Sequence, residues 1–156
     1  MINLHNLRMK IHSGESSTLQ WVTESDELDS IAETMVAMAN SNGGTIIVGI
    51  EDGQVEGVYN HQEASDYLIE AALSTEPSLV IPVPEVVIFD DKPLVVAQIP
   101  TGMPHVYAYK GRYLRRRDTR NVPLKPPSLR RLMIQRGEMN FEVGIAQGAT
   151  LDDIDW

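Results

Sequence analysis

The residues best placed to do chemistry are arginines. Arg112, Arg115, Arg116, Arg117 and Arg120 crowd into one short stretch, and Lys125, Arg130, Arg131 and Arg136 follow. A guanidinium presents a planar fork of donors that matches a phosphate with two parallel hydrogen bonds, so such a run suits a polyanion. Tyr107, Tyr109 and Tyr113 interleave with the basic residues, and exposed rings at such positions stack on bases. Strand alternation places Arg115 and Arg117 on one face and Arg116 on the other. The competing reading is a solvated strand whose arginines pair with the chain's own 22 acids.

Other constellations are weaker. Glu15, Glu51 and Asp52 are the carboxylates to consider for metal-assisted phosphodiester cleavage, which needs several oxygen ligands converging on one or two cations. The plainer reading has Glu15 pairing locally and Asp52 making a turn. Asn40, Gly43 and Gly44 form a turn that could offer backbone N–H groups to a phosphate. It follows a helix, however, whose C-terminal dipole disfavours an anion, so a tight helix-to-strand turn is the better reading. The four histidines, His5, His12, His61 and His105, have no metal-ligand spacing, and the chain has no cysteine, so a zinc site is not expected. A phosphate-binding Gly-x-x-x-x-Gly-Lys-Ser/Thr loop and a Gly-x-Ser-x-Gly nucleophile motif are both missing from the sequence, which leaves no ATPase or hydrolase signature. No catalytic residue, cofactor or metal is therefore expected.

The formal net charge of −9 argues superficially against a nucleic-acid partner. Its distribution reverses the argument. Ten of the 13 Lys and Arg lie between Lys110 and Arg136, where Asp118 is the only acid, so that window carries +9 against −18 for the rest. A bipolar chain attracts a polyanion at one patch and repels it elsewhere.

These groups must be positioned by one core, since 156 residues with 42% hydrophobic content fit a single globular domain. The chain shows neither an apolar signal core near its start nor a membrane-length apolar run, and a cytoplasmic home is expected. Residues 4–14 read as a polar lead-in and Ser16 to Val22 as a short strand. A helix then carries Leu28, Ile31, Ala32, Met35, Met38 and Ala39 at helical spacing, capped by Thr23 or Ser25. Thr45 to Ile50 reads as a buried strand, and Asp52-Gly53 as a hairpin turn into Gln54 to Val58. Asn60 caps a second helix with Ala64, Leu68, Ala71 and Ala72 inside.

Val80 to Phe89, with its prolines, reads as an edge strand that turns at Asp90-Asp91 into Leu94 to Ile99. Val106 to Tyr109 and Arg112 to Arg116 form another hairpin about Lys110-Gly111. Ser128 caps a basic helix from Leu129 to Gln135. The expected order is β-α-β-β-α-β-β-β-β-α, an α+β fold with a mixed β-sheet and helices packed beside it.

Several of these segments resemble one known family. Glu15 to Trp21 is similar to an opening Glu-Ser-x-x-Leu-Glu-Phe-Lys motif. Ala37 to Gly53 is similar to the family's central signature: a helix end, an Asn, a Gly-Gly turn, then a strand running into a Gly and an acid. Val55 to Val58 matches the short strand that follows, and Gly111 to Arg115 its late Tyr-x-Arg strand. The family is the Schlafen-type, AlbA-like DNA-binding domain family, once described as a divergent ATPase group.

The resemblance implies an AlbA/Schlafen-like fold over residues 1–138, with 139–156 as a tail or linker toward a C-terminal region of a longer protein. It also implies DNA or RNA as partner, a role in a transcriptional regulator, and a homodimer by analogy. The contact residues expected from the basic stretch itself are Arg112, Tyr113, Arg115, Arg116, Arg117, Arg120 and Lys125. In some animal relatives clustered carboxylates cleave RNA, but here Gln20 replaces the opening motif's second acid and Val22 its Lys. Nucleic-acid binding without catalysis is therefore the expected function. The alternatives are a protein–protein assembly module using the edge strand Val80 to Phe89, and a residual metal-dependent nuclease.

Overall fold

The computed structural model describes residues 3–101 and 104–137, so the expected tail, 139–156, lies outside the described residues. Its frame is a four-stranded sheet in the order β1-β2-β6-β5, built from β1 (Leu19–Val22), β2 (Gly44–Val48), β5 (Glu85–Phe89) and β6 (Lys92–Ile99). β1 runs parallel to β2, while β6 is antiparallel to both β2 and β5, so the sheet is mixed. The α+β expectation holds.

Alternation along the strands supplies two buried faces. Ile46 and Val48 of β2, with Val95, Ala97 and Ile99 of β6, face a core closed by α2 (Leu28–Ala39) and α3 (His61–Leu73). Ile47, Leu94 and Val96 point the other way and are covered by Leu7 and Ile11 of α1 (Leu4–Ser13). Among the described residues no helix is long and apolar enough to cross a membrane.

Helix α1 corrects the lead-in reading of residues 4–14. Asn3 caps it by accepting the His5 and Asn6 N–H groups. Leu7 is its only buried residue, and one apolar point among polar neighbours carries too little periodicity to announce a helix. The caps of two other helices also differ from expectation. Thr23 does not cap α2; its N–H and hydroxyl bind the Asp26 carboxylate in a turn, and Glu27 stands at the N-cap. Nor does Ser128 cap α4 (Pro126–Gln135), which begins earlier behind Lys125 because prolines at its first positions pre-set the helical φ. Asn60 does cap α3, accepting the Glu63 N–H at 3.1 Å.

The expected strand from Thr45 to Ile50 is broken at Gly49, whose φ is +115°. A Cβ there would lie 2.7 Å from a Leu94 methyl, so the chain bends and starts a separate hairpin, β3 (Ile50–Glu51) with β4 (Gln54–Val55). The turns at Asp52-Gly53 and Asp90-Asp91 both have positive φ at their two central residues, the geometry that matches strand twist in two-residue hairpins. Both were legible from residue type.

The last hairpin is placed differently. Lys110-Gly111 does turn, but it closes only a single bridge, Tyr109 to Arg112. The true ribbon is β7 (Leu114–Arg117) with β8 (Arg120–Pro123), turning at Asp118-Thr119. Arg120 is thus a strand residue rather than a loop residue.

Candidate nucleic-acid interface

The β7–β8 ribbon forms its own two-stranded sheet and packs against α2. Its two faces have opposite characters. Leu114 and Arg116 point inward and are buried; Arg115 is half-buried, and Arg117 is exposed on the open face. The strand register puts Arg115 opposite Val122, Arg116 opposite Asn121, and Arg117 opposite Arg120. The open face therefore gathers Arg115, Arg117 and Arg120.

Arg116 leaves this set. It is 6% exposed, and its guanidinium donates to Asn121 Oδ1 at 2.8 Å, Gln20 Oε1 at 2.7 Å and the Ser16 carbonyl at 3.1 Å. Asn121 continues the chain of bonds to the Thr34 hydroxyl and so to the Ser30 carbonyl in α2. Burial pushes the Arg116 guanidinium below its ordinary pKa, and the Glu15 carboxylate opposes that shift. The residue is a lock between β1, the ribbon and α2. Replacing Arg116 with Ala strands three acceptors in a part-buried site, so we expect a loss of about 2–3 kcal/mol in urea unfolding.

Arg112 is exposed but held by Glu33 at 2.7 Å. Tyr113 is half-buried, and its carbonyl accepts the Leu124 N–H at 2.8 Å. Tyr107 and Tyr109 are buried at 7% and 4% exposure, which removes both from any stacking platform. Their shared fate has one cause: the segment from Val106 to Tyr109 runs along α2, with Tyr107 bonded to Asn40 at its C-terminal end and Tyr109 reaching its first turn. The Tyr109 hydroxyl donates to Asp29 there, and Lys110 joins the same carboxylate at 3.3 Å. The Tyr109 bond is the main cause that lowers the Asp29 pKa.

Arg117, Arg120, Lys125, Arg130 and Arg131 are exposed. With Arg115, they make no ion pair with an acid among the described residues. Lys125 precedes α4, whose first turn contains no acid, so nothing in that turn offsets the positive helix end. Arg136 behaves differently. It is buried and caps α2, donating to the Ala39 and His105 carbonyls, both at 2.9 Å. Burial lowers its pKa too.

The turn at Asn40, Gly43 and Gly44 is structural. The buried Asn40 amide donates to the Tyr107 and Leu114 carbonyls at 2.9 and 2.8 Å and accepts the Tyr107 N–H at 2.8 Å. Gly43 has a φ of +74°, and a Cβ there would stand 2.6 Å from the Ile99 carbonyl oxygen. Sequence reasoning missed Asn40 as a tie between distant segments, and nothing local in the sequence could have revealed it. It also missed Arg136 as a helix cap.

The carboxylates do not assemble. Glu15 accepts the Trp21 N–H at 2.9 Å, whereas Glu51 and Asp52 sit exposed on the β3–β4 hairpin. No group of three or more His, Asp or Glu that could hold a metal ion occurs among the described residues. The position of the second acid in the opening motif, Gln20, faces the Arg116 cation instead.

Known structures share this architecture. The chain is similar to the DIP2311 protein of Corynebacterium diphtheriae, with a TM-score of 0.62 and 15% identity over 88% of this chain. It spans only 29% of that protein's length. It is also similar to the N-terminal domain of a protein related to the ATP-dependent DNA helicase RecG from Nitrosomonas europaea. There the TM-score is 0.58 and the identity 22%, covering 75% of this chain and 89% of that one. At such identities the likeness is one of fold. No curated protein matches the chain. The family model described as Schlafen, AlbA_2 matches residues 15–125, a span running from Glu15 through the β7–β8 ribbon to Lys125, and the chain belongs to that family.

Proposed function

We propose that this domain is a nucleic-acid-binding module of a cytoplasmic transcriptional regulator, and that it grips phosphates without catalysing a reaction. The observation that carries the reading is the open ribbon face. Among the described residues, Arg115, Arg117 and Arg120 make no ion pair with an acid on that face. Unneutralised cations gathered on one face are the electrostatic footprint of a polyanion site. Family membership and the fold shared with a RecG-related N-terminal domain support the same reading.

Support for the absence of catalysis comes from the opening motif. Gln20 is engaged by Arg116, and Glu15 is engaged by the Trp21 backbone, and neither belongs to a group of three or more His, Asp or Glu that could hold a metal ion among the described residues.

The test is fluorescence anisotropy of labelled DNA and RNA at low salt. Binding by the parent chain and its loss in Arg115→Ala/Arg117→Ala is the expected result; undiminished binding by that variant would remove the ribbon from the site.

A second reading, self-assembly, rests on the edge of the main sheet. Among the described residues β5 has no partner on its outer side, and Val86 and Ile88 stand 42% and 59% exposed. An apolar open edge invites strand pairing. It predicts a mass that rises with concentration in sedimentation velocity and stays monomeric in Val86→Lys/Ile88→Lys. A concentration-independent monomer sinks it.

A further inference from the structure

Arg117 and Arg120 stand directly opposite each other at the turn end of the ribbon. Like charges in that relation destabilise an antiparallel pair. Neither is neutralised by an acid among the described residues, not even by Asp118 in the turn between them. One cation belongs to β7 and the other to β8, so an anionic ligand that relieves both must present charge to both strands of the ribbon.

Two observations identify that ligand. Sequence-tolerant single-strand binders stack successive bases on aromatic side chains. Here Tyr107 and Tyr109 are buried, and half-buried Tyr113 is the one ring of the stretch that remains. A single ring is a poor platform for a splayed strand.

The second observation is shape. The ribbon is two strands wide and separate from the main sheet, with one face on α2 and the other open. The major groove of B-form DNA, about 12 Å across, admits a two-stranded β-ribbon. The major groove of A-form RNA is too deep and narrow to be entered.

We propose that the ligand is double-stranded B-form DNA, with β7–β8 lying along its major groove. Arg117 and Arg120 each reach the phosphates of one of the two strands that border the groove. Arg115 lies one pleat repeat, about 6.6 Å, from Arg117 along β7 and extends the contact on its side. Lys125, Arg130 and Arg131 then meet the backbone beyond the groove. This inference rests on the reading of the ribbon as the phosphate-binding surface.

The experiment titrates the full chain, by anisotropy at about 50 mM salt, against a short labelled DNA duplex, each of its strands alone, and an RNA duplex of the same sequence. The duplex DNA should bind at least about tenfold more tightly than the others. Methyl green, which occupies the major groove, should displace the protein, and the minor-groove ligand netropsin should not. Arg117→Ala/Arg120→Ala should bring the duplex down to the affinity of the single strand. This variant removes exposed, unpaired groups, so its thermal melt should match or exceed the parent's.

Equal or tighter binding to a single strand or to the RNA duplex, or displacement by netropsin alone, overturns the duplex assignment and leaves the phosphate-binding reading standing. No binding to any of the probes overturns both.

Discussion

Raising the salt from about 50 to about 200 mM should weaken DNA binding by about 40-fold if three phosphates are engaged, and by about 2000-fold if six are. The lower figure corresponds to Arg115, Arg117 and Arg120 acting alone, the higher to their joint action with Lys125, Arg130 and Arg131. The logarithmic slope of affinity against salt therefore counts the cations at work. In Arg115→Ala/Arg117→Ala the slope should become shallower by about 1.8, because each phosphate contact contributes about 0.9. Arg112→Ala should change the slope little, since Glu33 already neutralises that guanidinium at 2.7 Å. The net charge of −9 does not oppose this binding as strongly as it suggests. The screening length falls from about 14 Å at 50 mM to about 7 Å at 200 mM, so a ligand on the ribbon senses the local cations first. An affinity independent of salt would exclude phosphate contacts as its source.

The sequence disclosed whatever depends on local periodicity and turn chemistry. The β-branched runs of β2, β5 and β6 gave strands of the main sheet, and the positive-φ pairs gave two hairpins, Asp90-Asp91 within that sheet and Asp52-Gly53 in the separate β3–β4 pair. The Asn40–Gly44 stop gave the end of α2. Alternation also sorted the arginines correctly, with Arg116 opposite in sense to Arg115 and Arg117. It could not disclose what covers each face.

Arg116 still joined the expected contact set because nothing near it in the chain reveals Gln20, Asn121 and the Ser16 carbonyl, which fold back to receive it from β8 and from nearly a hundred residues upstream. Tyr107 and Tyr109 read as stacking rings for the same reason. Val106, Tyr107, Ala108 and Tyr109 are all buried, a pattern without alternation that arises when a segment is covered on both sides. Helix α1 stayed hidden because Leu7 is its only fully covered residue. The misplaced last hairpin shows a different limit. Lys110-Gly111 and Asp118-Thr119 both turn, and only tertiary packing on α2 decides which turn closes a ribbon.

The largest effect on stability should come from Asn40→Ala, at about 3–5 kcal/mol. The Asn40 amide is buried at the C-terminus of α2 and makes three hydrogen bonds to backbone groups 67 and 74 residues away. Removing it leaves the Tyr107 N–H and the Tyr107 and Leu114 carbonyls without this partner in a closed site, at about 1–3 kcal/mol for each group left unpaired. The expected sum lies below the simple total because a cavity the size of an amide lets the backbone relax. It is still a large share of the 5–15 kcal/mol that holds a typical domain together.

Asn40→Asp separates hydrogen bonding from packing, since it is isosteric. A carboxylate still accepts the Tyr107 N–H, but it cannot donate to either carbonyl and sets a negative charge against both. It should therefore destabilise the fold about as much as Ala at neutral pH and recover part of the loss on protonation. Because Leu114 opens β7, loosening this tie should free the ribbon from α2 before the main sheet melts. Urea unfolding followed by far-UV circular dichroism, together with amide exchange at Leu114 to Arg117, would read both effects. A loss below about 1 kcal/mol would mean that this amide does not hold the ribbon in place.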